Sequence, residues 1–203
     1  GLTYPTTAEK AEEEQAGTYS AVRLFQQRAL QANRRFSLAE TELPAVIRIC
    51  QLVEGMPLGV ELAAAWVSVY SCVEIVQAIE HNLDILTTRL HNVPERHRNI
   101  RATFELSWQQ LSAAEKDLFT RLSVFCGGFR AEAAAAVAGA SPVTLASLLD
   151  KSLLRHAAPD RYDMHELLRQ YAAEKLADNP QKRESAHMQH ASYFATFLEG
   201  QEA

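Results

Sequence analysis

The stretch from Gly55 to Tyr70 constrains this fold more than any other. Between Leu58 and Tyr70 the only charged residue is Glu61. A helix that is apolar on nearly every side must be enclosed by protein, or by lipid if it is long enough. At about 14 residues it falls short of the roughly 20 that a bilayer demands. It therefore reads as the central helix of a helical domain. Its ends are marked as well. Gly55 suits the position just past an incoming helix, where positive φ penalises a Cβ. Pro57 suits the first turn of the next helix, where its missing N–H costs nothing.

The 203 residues suffice for one large or two small domains, and 47% hydrophobic with 22% charged content is that of a folded chain. The net charge of −5 argues against a surface dominated by nucleic acid, though not against a local basic patch. Cys50, Cys72 and Cys126 are scattered and odd in number, without CxxC or Cys/His spacing, so free thiols in a reducing, cytoplasmic setting are expected and no metal site. No signal peptide or transmembrane run is expected, and the opening at Gly1 suggests a piece of something longer.

Taken in order, residues 1–18 read as a linker, with Leu2 and Tyr4 as possible anchors. A helical bundle is expected over 19–93. Its first helix carries Ala21, Leu24, Phe25, Ala29 and Ala32 at helical spacing. The second starts at Thr41 and ends at Gly55. The central helix follows. The fourth opens on the capping box Ser71/Glu74, with Cys72, Ile75, Ile79, Leu83, Leu86 and Leu90 in register. The polar run His91–Arg98 is the candidate boundary. Over 99–178 come a helix to about Leu111, a second capping box (Ser112/Glu115), a short bridge at Phe129, an alanine-rich helix ending at Gly139, a helix from Ser141-Pro142, and a hairpin around Ala158-Pro159-Asp160. That order is the order of a winged helix, with the hairpin as wing. A third capping box, Asp163/Glu166, opens the next helix. A last helix over 179–203 carries Ala191, Phe194 and Leu198 on one stripe and leads toward a possible helical repeat region. The expected class is mainly α: a four-helix bundle, a winged-helix domain with a small β-hairpin, and a C-terminal helix.

Four of these stretches together resemble the STAND signalling ATPases, the class that includes NB-ARC proteins and bacterial regulators built the same way. The segment from Gly55 to Ala63 is similar to the family's "GLPLALELA" motif. Leu111-Ser112-Ala113-Ala114-Glu115 with the run from Phe119 to Phe125 is similar to "LSxxE…LFxxLSVF". Leu149-Asp150-Lys151-Ser152-Leu153-Leu154 is similar to "LVDKSLL", and the segment from Tyr162 to Ala172 to the "MHD" region. The resemblance runs from about Val22 to Phe197. It implies a helical domain and a winged helix that close over ADP bound to a nucleotide-binding core and hold an off state, with exchange for ATP allowing oligomerisation. It further implies that Pro57 lies against the adenine and that His165 reaches the β-phosphate. Glu166 departs from the family's Asp.

The chemistry of His165 is compatible with that role, because a helix start favours an anion. The alternative is a histidine packed between wing and helix. No GxxxxGK[ST] and no acid-tipped apolar strand occur here, so the P-loop core is expected before Gly1 and no catalytic residue is assigned. His165-Glu166-Leu167-Leu168-Arg169 has Arg169 where a zinc motif needs a second histidine. ADP or ATP is expected in the full-length parent, shared with that core, and not held tightly by this chain alone. Expected partners are the parent's own nucleotide-binding domain and downstream helical repeats, with self-oligomerisation on activation and no membrane. DNA binding is not expected, since 142–152 offers only Asp150 and Lys151 as charges. The alternative is a winged-helix DNA-binding domain of a transcription regulator, or a free-standing protein-interaction adaptor. The cluster Arg96-His97-Arg98 with Arg101 is expected at an interdomain control surface.

Overall fold

The computed structural model describes residues 1–5, 18–87 and 99–199. It divides into two compact units, Gly1–Glu105 and Leu106–Ala203. The polar run expected to separate them, with the Arg96-His97-Arg98 cluster, lies outside the described residues. The division falls within a helix, Ile100–Gln109.

The first unit is helical. Helix α1 (Ser20–Ala32) buries Ala21, Val22, Phe25 and Ala29, as its spacing requires. It packs on α2 (Leu43–Leu52) and α3 (Pro57–Ala64), while α2 packs on α4 (Cys72–His81). Residues 1–5 are not a loose linker at their start. The Leu2 N–H donates to Gly55 O at 2.9 Å, the Ala21 N–H donates to Thr3 O at 3.0 Å, and Pro5 is buried. Gly55 has φ +63°, and a Cβ there would overlap the Leu2 carbonyl oxygen and lie 2.8 Å from the Tyr4 ring. Glycine is thus required at that crossing for two independent reasons.

Two expectations in this unit are corrected. The central helix is α-helical only to Ala64 and continues as a 3-10 turn, Ala65–Ser68, leaving Val69 and Tyr70 exposed. Ser71 causes the shortening. It is extended (ψ 159°) as the N-cap of α4, with both halves of its capping box to Glu74 formed, so the chain must leave the helix before it. The tightened turn ends with Val69 and Tyr70 N–H groups both donating to Trp66 O. Helix α4 likewise stops at His81 instead of running on to Leu90, which lies outside the described residues. Asn82 is extended and its side chain accepts from the Asp84 N–H, a local bond that competes with helix continuation. Leu83 and Leu86 still reach the core, from a 3-10 turn and the residue after it.

The second unit has the expected winged-helix order. Helix α5 is Ile100–Gln109, and its Trp108 meets Phe119 and Tyr171 in the unit's core. The Ser112/Glu115 capping box starts α6 (Ala113–Leu122). Strand β1 (Phe129–Arg130) leads to α7 (Ala131–Ala138), which ends on left-handed Gly139 (φ 68°). Ser141 caps α8 (Pro142–Asp150), with Pro142 in its first turn. The wing is β2 (Arg155–Ala158) and β3 (Arg161–Asp163), and the sheet order is β1-β3-β2, all antiparallel. Helices α9 (Glu166–Ala177) and α10 (Pro180–Glu199) follow; α9 packs on α6, and α10 on α7. No single helix among the described residues is long and apolar enough to cross a membrane.

The third expected capping box does not form. Asp163 remains in β3 opposite Arg155, so α9 is capped by His165 and Glu166 is its first residue. Asp163 is held instead by the Arg155 guanidinium at 2.5 Å.

Candidate functional site

The features singled out in the sequence fall in both units. In the first, Met56 is the extended N-cap of α3, and Pro57 stands exposed at the helix start. Glu61, one turn on, is paired with Arg28 of α1 at 2.9 Å. The proline ring is presented at a turn whose backbone path is fixed by Gly55.

In the second, the helix in the recognition position is α8. It buries Leu145 and Leu148 and turns Pro142, Val143 and Ala146 outward, Val143 being 78% exposed. Its flanking cation, Lys151, does not face outward freely. The ammonium lies 2.5 Å from Glu115 Oε1, which also accepts from Ser147 Oγ at 2.5 Å. The other oxygen, Oε2, accepts from the Ser112 N–H at 2.7 Å. Glu115 is only 8% exposed. The hydrogen bond from Lys151, then those from Ser147 and Ser112, hold its carboxyl far below the usual range, at about 2. One carboxylate thus joins the start of α6 to the end of α8, a link invisible to local sequence patterns.

The wing's cations are engaged too. Arg155 pairs with Asp163, Arg130 with Asp160 at 3.3 Å, and Arg161 donates to the carbonyls of Gly127 and Gly128 at 3.0 and 3.2 Å. Both glycines have positive φ, and a Cβ on Gly128 would lie 2.8 Å from Tyr162 O. Arg161 therefore fastens the turn that leads into β1.

His165 Nδ1 accepts from the Leu167 N–H at 3.2 Å, satisfying one of the free amides at the start of α9. His165 is thus the residue from which α9 starts, with its ring at the helix end whose amides and dipole favour an anion. Glu166 accepts from Arg169 at both oxygens, 2.8 Å each, and from Gln170. Burial raises the Glu166 pKa, and the bonds from Arg169 and Gln170 with the Arg169 and His165 charges outweigh it, so the net shift is downward. Arg169 also donates to Ser123 O, tying the end of α6 to α9. Arg101, the one described member of the expected basic cluster, is paired with Asp84 at 2.6 Å.

Comparison with known proteins identifies the second unit. Its residues 111–177 match the family of winged helix-turn-helix domains. This part of the chain is a winged helix-turn-helix domain. The chain as a whole is 34% identical over 189 residues to a candidate HTH-type transcriptional regulator of Mycobacterium tuberculosis, covering 87% of this chain and 21% of that protein. It is 31% identical over 174 residues to an uncharacterized protein of the same species (80% of this chain, 44% of that one). It is 31% identical over 169 residues to the regulatory protein AfsR of Streptomyces griseus (78% and 17%). The chain is thus homologous to transcription-regulator proteins and spans about a fifth of the length of the regulators it matches.

Proposed function

We propose that the chain is the control portion of a STAND-type transcription regulator, and that its winged helix-turn-helix domain meets protein surfaces instead of reading DNA. The observation that carries this reading is the state of its cations. DNA affinity is built on Lys and Arg free to neutralise phosphates, and base readout on Arg, Asn or Gln at the front of the recognition helix. Here α8 begins Pro142-Val143-Thr144, Lys151 is held by a nearly buried carboxylate, and the wing arginines are paired with aspartates or backbone carbonyls.

Two features support a nucleotide contact in the parent protein. Pro57 is exposed at the start of α3, and His165 stands at the start of α9, where the helix end favours an anion. When bound, ADP would supply the phosphate charge. His165 would donate to a phosphate oxygen and Pro57 would cover the base, while the P-loop of a separate core would hold most of the nucleotide. This chain would carry no catalytic step. Its partners would be that core and helical repeats of the same polypeptide, with oligomerisation on exchange for ATP, in the cytoplasm.

The second reading is DNA binding by the winged helix itself. The family match and the description of the mycobacterial relative favour it over the switch. Fluorescence anisotropy with duplex DNA at about 50 and 200 mM salt separates the two. A DNA reader loses on the order of 10³-fold in affinity across that range; the control reading expects no saturable binding at either salt. In the parent protein, His165→Ala is expected to release ADP faster, and His165→Asn, which restores the cap without the imidazole, is expected to release it equally fast. ADP retention by the Asn variant would reduce His165 to a helix cap.

A further inference from the structure

The wing has almost no core of its own. Every residue of β2 is exposed, β3 has none fully buried, and Phe129 of β1 is the one buried residue in the sheet. Strands of two to four residues do not persist without tertiary packing. Phe129 is stacked on Tyr162 of β3 at 6.0 Å and backed by Phe125 at 4.9 Å. Phe125 is in turn covered by two rings of α10, His190 at 5.0 Å and Phe194 at 6.3 Å, which touch each other at 4.7 Å. Phe197 extends the contact along α10 at 6.5 Å. An unbroken run of rings therefore connects the wing to the last helix.

Helix α10 is lightly held. Of its described residues only Ala186 is fully buried. Its polar attachments include the Lys182–Asp117 ion pair and the Arg121–Gln189 hydrogen bond, both partly exposed. An element with so little buried apolar area opens at lower free energy than the core around it.

We propose that α10 is a detachable cover whose docking sets the order of the wing, so that an event pulling on α10 loosens the hairpin through Phe125 and Phe129. The coupling is the same whether the wing meets a protein face or a phosphate backbone, so it stands apart from the control reading above.

Hydrogen exchange followed by mass spectrometry on the whole chain tests it. Phe194→Ala is expected to speed exchange in the hairpin 155–163 about tenfold, while α8, which α10 does not cover, keeps its wild-type rate. Met188→Ala, on the same helix at an exposed site outside the run of rings, is expected to leave the hairpin unchanged. Phe125→Leu keeps apolar volume but breaks the run, and should speed the hairpin as Phe194→Ala does. The proposal is overturned if the hairpin is unmoved in both Phe variants, if α8 speeds up as much as the hairpin, or if Met188→Ala matches Phe194→Ala.

Discussion

Replacing Glu115 by glutamine isolates a carboxylate that ties α8 to the start of α6. Bonds to a charged group contribute about 1.5–3 kcal/mol and neutral ones about 0.5–1.5, so each of the bonds from Ser112 and Ser147 weakens by about 1 kcal/mol. Lys151 is 34% exposed and regains water on losing its partner, which limits that loss to at most about 1 kcal/mol. The expected destabilisation is about 2–3 kcal/mol. The downward shift from 4.5 to about 2 gives a similar ceiling of about 3 kcal/mol. The sign follows from the direction of the shift. A carboxyl with a depressed folded-state pKa stabilises fully above its unfolded value and loses that contribution as pH falls from about 4.5 toward 2. Urea unfolding read from Trp108, in a Trp66→Phe background so that only the second unit reports, should show the full gap between wild type and variant at pH 7. The gap should close steadily below pH 4.5. A gap under about 0.5 kcal/mol at pH 7, or one that stays constant down to pH 2.5, would refute the assignment of Glu115 as a charged tie.

Three further outcomes are expected. Gly55→Ala combines a positive φ with overlap on Leu2 and should lower the first unit's stability by more than about 1 kcal/mol, read from Trp66 fluorescence during urea unfolding. Burial, and to a lesser degree His187, lowers the His190 pKa, so the folded state favours the neutral ring. Stability of the second unit should therefore be intact above about pH 6.5 and decline as pH falls below it, and His190→Phe should flatten that slope in thermal melts. Burial pushes the Cys50 and Cys72 thiols up to about 12, while Cys126 is exposed. A thiol reagent at pH 8 should label one cysteine quickly and the other two only on unfolding.

What was legible in the sequence was local. Ser71/Glu74, Ser112/Glu115, Ser141-Pro142 and Gly139 act within one helical turn, and each starts or stops a helix as its residue type requires. The winged-helix order followed from those signals. Where cross-chain contacts decided, the sequence was silent or misleading. Asp163 has the spacing of a cap with Glu166, yet pairing with Arg155 across the wing keeps it in a strand. The tie between Glu115 and Lys151 spans 36 positions, and no short pattern announces it. Residues 1–5 look like a linker because their stability comes from Gly55 and Ser20, far along the chain. Of the candidate site residues, the placement of Pro57 and His165 at helix starts was readable, but not that His165 would itself be the cap.

The outward side of α8 has one more consequence. Pro142, Val143 and Ala146 have almost no side-chain rotamers to lose. A surface of long side chains gives up about 0.5–1.5 kcal/mol for each one it immobilises on association, whereas this one gives up nearly nothing. It behaves like a machined bearing: contact with it is governed by shape alone, can be made and broken without reordering anything, and would be blocked by a single long side chain placed at Val143.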